Sequence, residues 1–455
     1  MKVLLINPRS ANFSESFGLV FPPIGLLYVA AAAEKAGFTV EVEDFLVSRR
    51  KPSHLRFRDY DVVGVTSDTR RLPGALEIAK SAKRQGCTVV MGGPHPALVD
   101  EDILREGYAD FIVRGEGEIT FPEVLGAVRG SGDPCHVKGI SYLGHGTVMR
   151  TAPRELIEDL DSLPLPARHL VDMNAYKRLG MKYGGTRAVT ALFTSRGCPH
   201  ECDFCVSPQM YGRRWRARTP AAVVAEIEHV YHDYGYRAIA FFDDNFAVSP
   251  KRVREICRLI LEKELDIWWW SFSTTSILVR NEDMVGLMAK AGAKTVYIGV
   301  ESPDPEALKA LNKNAEADAP SQAVALLKRN NLETFASYIL GGINDDIRAT
   351  LRTIRFARSL DTSAVQFTIL TPYPGTELFN KLKDRLRHRK WHLYDGMHLV
   401  FRHRHVSYAA MELLLLWAYV SYYARGWRAI RGFVKAFVNN ARVMKRFGDK
   451  ANRDR

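Results

Sequence analysis

Short apolar runs alternate with longer amphipathic segments along the first part of the chain. The apolar runs predict five strands, over residues 2–7, 39–45, 61–66, 88–92 and 111–114. Helix patterns cover residues 25–36, after Pro22 and Pro23 and before Gly37, and residues 72–85. Because strands that alternate with helices form parallel sheets covered on both faces, we predict an N-terminal doubly wound α/β domain.

The same alternation returns after residue 186. Apolar runs predict six strands, over residues 189–194, 238–242, 268–274, 295–300, 334–340 and 364–370. Helix patterns such as 221–234 lie between them, so the second part is predicted to be a partial (β/α)6 barrel with its chemistry at the carboxyl ends of the strands.

A stretch with little periodicity separates the two repeats and contains Pro164 and Pro166. We therefore predict four parts, which are a first domain at 1–140, a connector at 141–185, a second domain at 186–385 and a basic helical C-terminal region at 386–455. The length of 455 residues and an apolar content of 46% are sufficient for more than one packed core.

The net charge of +13 is concentrated near the C-terminus. Residues 402–455 carry twelve Lys/Arg and three Asp/Glu, a local net charge of +9, and a second basic run covers 381–390. Nucleic-acid binding is one interpretation of such charge, but no zinc-finger or RNP motif accompanies it, and we do not expect it. An anionic substrate, an anionic cofactor or a membrane surface explains the charge at least as well.

No segment is long and apolar enough to predict a transmembrane helix, since the most apolar helix pattern covers only residues 413–420. Further along, apolar residues recur at helical spacing at Trp427, Ile430, Val434 and Phe437. Two interpretations of this basic amphipathic segment stay open: packing on the enzyme itself, which we favour slightly, and peripheral contact with anionic lipid. We expect a cytoplasmic protein, with membrane association as an option.

Three cysteines in one loop carry the strongest chemical signal. Cys198, Cys202 and Cys205 directly follow the first predicted strand of the second domain. Three such thiolates suit a [4Fe–4S] cluster whose fourth iron keeps an open position, where a small molecule can bind and receive an electron. A structural zinc site commonly uses two separated ligand pairs, and although His200 could supply a fourth ligand, no second pair follows.

The other cysteines, Cys87, Cys135 and Cys257, are scattered and are interpreted as core thiols. Residues 1–6 enter a strand without a signal-peptide pattern, and six cysteines in 455 residues are few. We therefore do not expect a disulfide framework.

The cysteine loop has the CxxxCxφC pattern of radical SAM enzymes, with Phe204 as the aromatic residue. The region 186–385 resembles the radical SAM partial barrel, and the N-terminal region resembles the cobalamin-binding domain often fused to it. The chain is thus similar to the cobalamin-dependent (B12-binding) radical SAM family, which includes methyltransferases and the anaerobic magnesium-protoporphyrin ester cyclase. The resemblance implies three cofactors: a [4Fe–4S] cluster, S-adenosylmethionine (SAM) and cobalamin.

Each predicted barrel strand ends in candidate SAM contacts. They are Asp243, Asp244, Ser273, Glu301, Gly341 and Tyr373, together with Phe204 of the cysteine loop. The resemblance implies that Asp243 or Asp244 faces the SAM ammonium, in place of the family's common Gly-Gly-Glu run, and that Glu301 binds the ribose. Because neighbouring side chains of an extended chain point to opposite faces, we expect only one of the two aspartates to contact SAM.

Polar and glycine residues also follow the strands of the first domain. They are Thr66, Ser67, Gly92, Gly93, Gly115 and Glu116. Ligands of parallel sheets bind beyond the carboxyl ends of the strands, and the resemblance implies that this rim binds cobalamin. The DxHxxG motif is absent after the first strand, so we expect no histidine on the lower face of cobalt and do not assign His95 as its ligand. A degenerate domain that binds no cobalamin is the alternative.

The resemblance implies that the cluster cleaves SAM to a 5′-deoxyadenosyl radical. Our leading hypothesis is methylation of an unactivated carbon of a hydrophobic, tetrapyrrole-like or lipid-like small molecule, with flavodoxin or ferredoxin as electron donor. The hydrophobic preference rests on the C-terminal pattern and on the tryptophans at 268–270, which could equally be barrel core. The alternatives are an oxidative cyclase with the same cofactors and a cluster-containing sensor that binds nucleic acid.

Overall fold

The computed structural model describes residues 1–9, 20–48, 50–314 and 316–424, and these form two compact units. Of the described residues, the first unit contains 1–9, 21–48, 50–176 and 390–392, and the second contains 20, 177–314, 316–389 and 393–424. The amphipathic pattern at 427–437 and the residues that follow the first strand at 10–19 lie outside the described ranges. The domain limits at 140, 185 and 385 stay predictions.

Sixteen strands and fifteen helices are found in the described ranges. The strands are β1 (Lys2–Asn7), β2 (Thr39–Asp44), β3 (Val62–Thr66), β4 (Thr88–Gly92), β5 (Phe111–Val113), β6 (Ile140–Gly144), β7 (Thr147–Arg150), β8 (Lys182–Tyr183), β9 (Arg187–Leu192), β10 (Ser195–Arg196), β11 (Arg216–Ala217), β12 (Ala238–Phe241), β13 (Trp268–Ser273), β14 (Ala293–Glu301), β15 (Glu333–Leu340) and β16 (Ala364–Ile369). The helices are α1 (Ile24–Lys35), α2 (Leu72–Arg84), α3 (Asp100–Arg105), α4 (Gly117–Val128), α5 (Met173–Leu179), α6 (Ser207–Tyr211), α7 (Pro220–His232), α8 (Pro250–Glu262), α9 (Thr275–Val279), α10 (Glu282–Lys290), α11 (Pro305–Ala310), α12 (Ala319–Arg329), α13 (Ile347–Leu360), α14 (Glu377–Leu382) and α15 (Tyr408–Tyr423).

The first unit contains a seven-stranded sheet in the order β2-β1-β3-β4-β5-β6-β7. Its first five strands are parallel, as predicted, and helices cover both faces. Leu26 of α1 and Leu125 of α4 share a core on one face, while Leu72 of α2 and Leu104 of α3 share a core on the other. The doubly wound fold is therefore confirmed.

The β6–β7 hairpin lies in the segment predicted as a connector. It adds two antiparallel strands to the sheet next to β5, with Phe111 paired to Tyr142. An unpaired edge strand would leave a row of backbone groups without partners, and the hairpin pairs this edge of β5. Its short strands carry too weak an alternation to be seen in the sequence.

The second unit contains a sheet in the order β16-β15-β14-β13-β12-β9-β8. Six strands of this sheet, β9 and β12 to β16, are parallel, and β8 is antiparallel at one edge. The helices pack on the face of the sheet that carries Phe241, Trp269 and Val296. Since the ends of this sheet are different strands that do not pair with one another, the predicted partial (β/α)6 barrel is confirmed.

The C-terminal helix α15 packs against β16 and α13 of the second unit. Met411, Leu415 and Ala418 of this helix are buried there, and the Tyr419 hydroxyl donates to the Phe367 carbonyl oxygen at 3.0 Å. Within the described ranges, every helix is too short or too polar to cross a bilayer.

Two of the three cysteines interpreted as core thiols, Cys87 and Cys257, are buried. The third, Cys135, is exposed, so that expectation is wrong for it. It lies in a single helical turn capped by Asp133, whose carboxylate accepts a hydrogen bond from the Cys135 amide at 2.9 Å. A capped surface turn places its side chains in solvent whatever their hydrophobicity.

Candidate active site

The cysteine loop begins where β9 ends and β10 pairs with β11. Cys198, Cys202 and Cys205 are partly buried free thiols. Gly197, before the first of them, has a φ of +84°, and a β-carbon there would lie 2.1 Å from the Arg214 carbonyl oxygen. Only glycine fits this position, because any side chain would collide with the backbone of the opposite loop segment.

Asp203 fastens the centre of the loop to two other parts of the second unit. Its amide donates to the Leu311 carbonyl oxygen at 3.0 Å, and its carbonyl oxygen accepts from the Leu378 amide at 2.9 Å. Its buried carboxylate forms an ion pair with Lys381. The thiols on either side of Asp203 are therefore held in fixed positions by neighbours far away in the sequence.

The sulfur atoms of the three thiols do not all lie within 4.8 Å of one another. With metal–sulfur bonds of about 2.3 Å, sulfur atoms around a tetrahedral ion lie about 3.8 Å apart. Within the described ranges, the potential ligand atoms that all come within 4.8 Å of one another belong to Asp133, Cys135 and His136, an exposed group in the first unit. The wider spacing of the loop thiols fits a multi-iron cluster better than it fits zinc.

Burial also favours a cluster at these thiols. It raises the pKa of Cys202 to about 11 and the pKa of Cys205 to about 12, while the Lys313 ammonium acts on Cys202 in the opposite direction. Thiols buried in this way become thiolates when a metal supplies the compensating positive charge. The donor set thus fits an iron–sulfur cluster.

Asp243 and Asp244 follow β12 and have different environments. The Asp243 carboxylate is buried and accepts hydrogen bonds from the Thr194 amide at 2.7 Å, the Thr194 hydroxyl at 2.5 Å and the Ser195 hydroxyl at 2.6 Å. It thereby ties the end of β12 to the chain just before the cysteine loop. These three bonds occupy both of its oxygen atoms.

The Asp244 side chain is open to solvent on one side and accepts from the Ser207 hydroxyl at 2.7 Å. Desolvation by its other neighbours raises its pKa, and the Asp243 charge adds to this rise. Burial raises the pKa of Cys198 and Cys205, and the charge of Asp244 adds to this rise, so Asp244 lies close to these thiols. Of the two aspartates, Asp244 is the one that a bound ligand can reach.

Glu301 ends β14 in the left-handed region, with a φ of +64°, and is buried. Its Oε1 lies 2.6 Å from Nζ of Lys313, which also donates to the Gly299 carbonyl oxygen at 2.9 Å. The Ser337 hydroxyl lies 3.4 Å from Oε2. The Glu301 carboxylate is thus paired inside the unit, beside the cysteine loop.

Sequence reasoning missed Lys313. It stands twelve residues after Glu301, a spacing that corresponds to no helix or strand face. Asn312, with a φ of +51°, turns the chain back toward β14, and its side chain donates to the Glu201 carbonyl oxygen at 2.9 Å. No pattern in the sequence indicates such a return.

The other predicted SAM contacts lie on or near the same carboxyl edge. Ser273 is buried at the end of β13, and Tyr373 is partly buried in the turn before α14. Gly341, after β15, has a φ of +71°, and a β-carbon there would lie 2.4 Å from Cε of Met411. Phe204 packs, partly buried, on the core of the second unit. The positive φ favours glycine at Gly341, and its contact with SAM stays a prediction.

A row of aromatic rings crosses the sheet face opposite the helices. Its members are Phe193, Phe242, Trp270, Phe272, Tyr297 and Phe335, with ring centroids of neighbours 4.7–6.2 Å apart. All six, which we call the aromatic row, are partly exposed. Trp269 alternates with Trp270 on β13 and is core, with its Nε1 donating to the Ala291 carbonyl oxygen at 2.8 Å. Side chains of the tryptophan run thus lie on both faces of the sheet.

In the first unit, the ends of β3 and β4 approach each other closely. The Ser67 amide donates to the Gly92 carbonyl oxygen at 2.9 Å. Gly93 has a φ of +100°, and a β-carbon there would lie 2.6 Å from the Ser67 carbonyl oxygen. The glycine therefore permits this approach, and Thr66 and Ser67 stand at the carboxyl edge where the strand order reverses.

Gly115 and Glu116 follow β5. Gly115 has a φ of +82° and leaves open space where a side chain would stand. The Glu116 carboxylate is buried and accepts from the Ile157 amide at 2.7 Å. Glu116 thus binds the segment after the β6–β7 hairpin, and a contact of its side chain with cobalamin stays a prediction.

His95 lies at the same edge and is fully buried. Its Nδ1 is 3.1 Å from the Thr69 hydroxyl, and its ring packs edge-on against Trp391 at 4.9 Å. Its Nε2 is a buried polar atom with no hydrogen-bond partner in the described part of the chain. Burial lowers the pKa of His95 to about 4, so the ring is neutral at pH 7 and able to accept a hydrogen bond. Such a group fits a polar ligand bound over this edge.

Comparison with known proteins decides the family. The model of the Radical SAM superfamily matches residues 192–354, and that of the B12 binding domain matches residues 14–125. An uncharacterized methyltransferase of Pyrococcus horikoshii is 34% identical over 435 residues, which are 93% of this chain and 93% of that protein. The chain belongs to the B12-binding radical SAM family.

This B12-binding radical SAM enzyme is also similar to a curated cyclase and to a methyltransferase of known structure. The anaerobic magnesium-protoporphyrin IX monomethyl ester cyclase of Rubrivivax gelatinosus is 29% identical, over 85% of this chain and 71% of that protein. The radical SAM methyltransferase TsrM of Kitasatospora setae, solved with cobalamin and a [4Fe–4S] cluster bound, has the same fold, with a TM-score of 0.70. That alignment covers 84% of this chain and 74% of TsrM, at 21% identity.

The cofactors of this radical SAM enzyme are a [4Fe–4S] cluster, SAM and cobalamin. The three loop thiols fit the cluster as its donor set, and their assignment as its ligands stays a prediction. Asp244 and Glu301 are carboxylates beside that loop, and the open rim with His95 belongs to the B12-binding domain. The assignments of individual residues to SAM and cobalamin stay predictions.

Proposed function

We propose that this radical SAM enzyme methylates an unactivated carbon of a flat, apolar small molecule of tetrapyrrole-like or lipid-like type. The observation that carries the proposal is the 34% identity to a protein named as a methyltransferase, which extends over 93% of both chains. A match of this length includes both the radical SAM domain and the B12-binding domain, so it favours the same use of the cluster, SAM and cobalamin.

The aromatic row supports the substrate class. Its six rings line the sheet face that carries Glu301 and that the helices leave uncovered. Partly exposed rings bind flat apolar molecules by stacking and by removing apolar surface from water. On this face, the Glu301 carboxylate is already paired with the Lys313 ammonium. A flat apolar substrate therefore suits the surface better than a sugar or an amino acid would.

The residues of the chain hold and orient the cofactors, and the bound cofactors supply an electron, a 5′-deoxyadenosyl radical and a methyl group. Cys198, Cys202 and Cys205 would bind three irons of the cluster and leave the fourth for SAM. Asp244 would accept hydrogen bonds from the SAM ammonium, and Glu301 would accept them from the ribose. Tethers such as Asp203 to Lys381 keep the loop in place. A one-electron donor of the flavodoxin or ferredoxin class reduces the cluster.

The test is anaerobic incubation of the reconstituted enzyme with methyl-labelled SAM, a reductant and panels of tetrapyrroles and polycyclic lipids. Methylation predicts label in the organic phase, with 5′-deoxyadenosine and S-adenosylhomocysteine formed in equal amounts. The Cys205→Ala variant should form neither product, and the exposed-thiol control Cys135→Ala should behave as the wild type. Release of 5′-deoxyadenosine without label in any substrate of either panel would contradict the proposal.

Oxidative cyclisation is the second candidate, because the cyclase of Rubrivivax gelatinosus is 29% identical over 85% of this chain. It uses the same cofactors, and the same experiment separates the two reactions. A cyclase would form 5′-deoxyadenosine and an unlabelled cyclised product whose mass change is not that of an added methyl group, without S-adenosylhomocysteine.

A further inference from the structure

An apolar stripe is exposed along α15. Leu413, Leu416, Trp417 and Val420 are 66%, 60%, 53% and 50% exposed, which makes them the most exposed large hydrophobic residues in the described part of the chain. Their spacing of three and four residues places them on one face of the helix. Isolated exposed hydrophobic residues are ordinary, but a contiguous stripe of four indicates an interaction surface.

The opposite face of α15 holds the stripe in a fixed orientation. Met411, Leu415 and Ala418 are buried against the second unit. The Tyr422 hydroxyl lies 2.9 Å from the Thr362 hydroxyl, and the Tyr419 hydroxyl bonds to the backbone of Phe367. The stripe is therefore not a face that could turn inward by rotation of the helix.

Positive charge accompanies the stripe on both sides along the chain. Before the helix, the guanidinium of Arg387 lies 4.4 Å from the ring centroid of Tyr408 in the first turn. After the helix, residues 425–455 carry ten Lys/Arg and two Asp/Glu, a net charge of +8 within a chain total of +13. A partner for this surface must be apolar where it meets the stripe and negatively charged around it.

We propose that the exposed apolar face of α15 binds the surface of an anionic lipid bilayer, and that the positive charge of the sequence at 425–455 adds to the attraction. Leucine and tryptophan side chains enter the boundary between headgroups and acyl chains, while lysine and arginine attract anionic headgroups. Either contribution alone gives weak, reversible binding, and the two together give stable attachment. Leu413 to Val420 extend about 10 Å along the helix, a length suited to lying on a membrane and not to crossing it.

Co-sedimentation of the full-length protein with vesicles tests the proposal. We expect binding to vesicles of phosphatidylcholine mixed with phosphatidylglycerol, weaker binding to pure phosphatidylcholine, and loss of binding as salt is raised. The Leu416→Ser/Trp417→Ser variant should lose partitioning into anionic vesicles by roughly tenfold or more, because both contacts are apolar. The matched control is Leu261→Ser/Ile347→Ser, which changes two exposed apolar residues outside the stripe and should bind as the wild type.

Three outcomes would overturn the proposal. Equal binding of the stripe variant and the control would show that the stripe makes no contact with lipid. If the wild type does not bind vesicles, and sedimentation velocity shows a dimeric wild type but a monomeric stripe variant, the stripe would be assigned to contact with a second copy of the chain. If the wild type does not bind vesicles, and the stripe variant has a lower melting temperature than the wild type, the stripe would be assigned to contact with residues 425–455 of the same chain. None of these measurements depends on methyl transfer, so the proposed function stands or fails separately.

Discussion

Nζ of Lys313 lies 2.6 Å from Oε1 of Glu301, and both side chains are almost entirely buried, 14% and 9% exposed. One cation thus connects the end of β14 with the turn that also holds the cysteine loop. Because both charges are removed from water, each depends on the other for compensation.

Removal of the Lys313 charge should destabilise the enzyme strongly. We expect Lys313→Met to lower the free energy of unfolding by about 3–5 kcal/mol, since Glu301 would be left as an unpaired buried charge. The measurement is urea unfolding followed by circular dichroism. The control Lys328→Met removes an exposed pair with Asp361, 49% and 76% exposed, and should cost less than about 1 kcal/mol. If both variants lost a similar amount of unfolding free energy, the structural role of the buried Lys313–Glu301 pair would be contradicted.

The cluster thiols should be separable from the other cysteines by iron content. Cys202→Ala should abolish stable binding of iron and acid-labile sulfide after anaerobic reconstitution, because two thiolates cannot hold three irons of a cube. Cys135→Ala, which changes an exposed thiol of the first unit, should retain both. Full iron content in the Cys202 variant would exclude that residue as a ligand.

A methyl group at Gly197 should disrupt the cysteine loop. In Gly197→Ala, the new β-carbon would lie 2.1 Å from the Arg214 carbonyl oxygen, in addition to the strain of a positive φ. The matched control is Gly185→Ala, where φ is +80° and no atom lies within 4 Å, so only backbone strain of roughly 1–2 kcal/mol remains. We expect loss of iron binding in the first variant and normal iron binding in the second. Normal iron binding in both would mean that the loop tolerates displacement.

Burial of His95 should make stability fall in acid. The folded-state pKa of about 4 is below the ordinary value of 6.5, so between these values the unfolded chain binds a proton that the folded chain does not. This contribution is present above pH 6.5 and is lost as the pH falls toward 4, with about 2 kcal/mol lost at pH 5. Urea unfolding at pH 7 and pH 5 measures the free energy of unfolding at each pH. Between these two pH values it should fall less for His95→Gln than for the wild type. His54→Gln, at an exposed histidine, should match the wild type.

The strands and the cysteine loop could be predicted because their signals are local. Apolar runs buried on both faces of a parallel sheet predicted the strand at 88–92 without error and the strand at 364–370 to within one residue of β16. The spacing of Cys198, Cys202 and Cys205 is a property of a single loop, so the sequence alone indicates a cluster.

The partners of the charged side chains could not be predicted. Asp203 and Lys381 are 178 residues apart, and no periodicity relates them. Asp243 and Asp244 are adjacent acidic residues in the sequence, yet one is bonded internally at both oxygens and the other is open to solvent. Which of them can meet a ligand depends on the direction of the chain after β12 and on where the end of β9 lies.

The sequence by itself thus determined the two α/β repeats and the family resemblance, and it indicated the candidate cluster thiols, because hydrophobic periodicity and motif spacing act over a few residues. The tertiary structure alone decided the pairing of Glu301 with Lys313, the exposure of Cys135 and of the α15 stripe, and the alignment of six rings on one sheet face. These depend on how distant segments pack, since burial and charge compensation are properties of a side chain's surroundings and not of its neighbours in the chain.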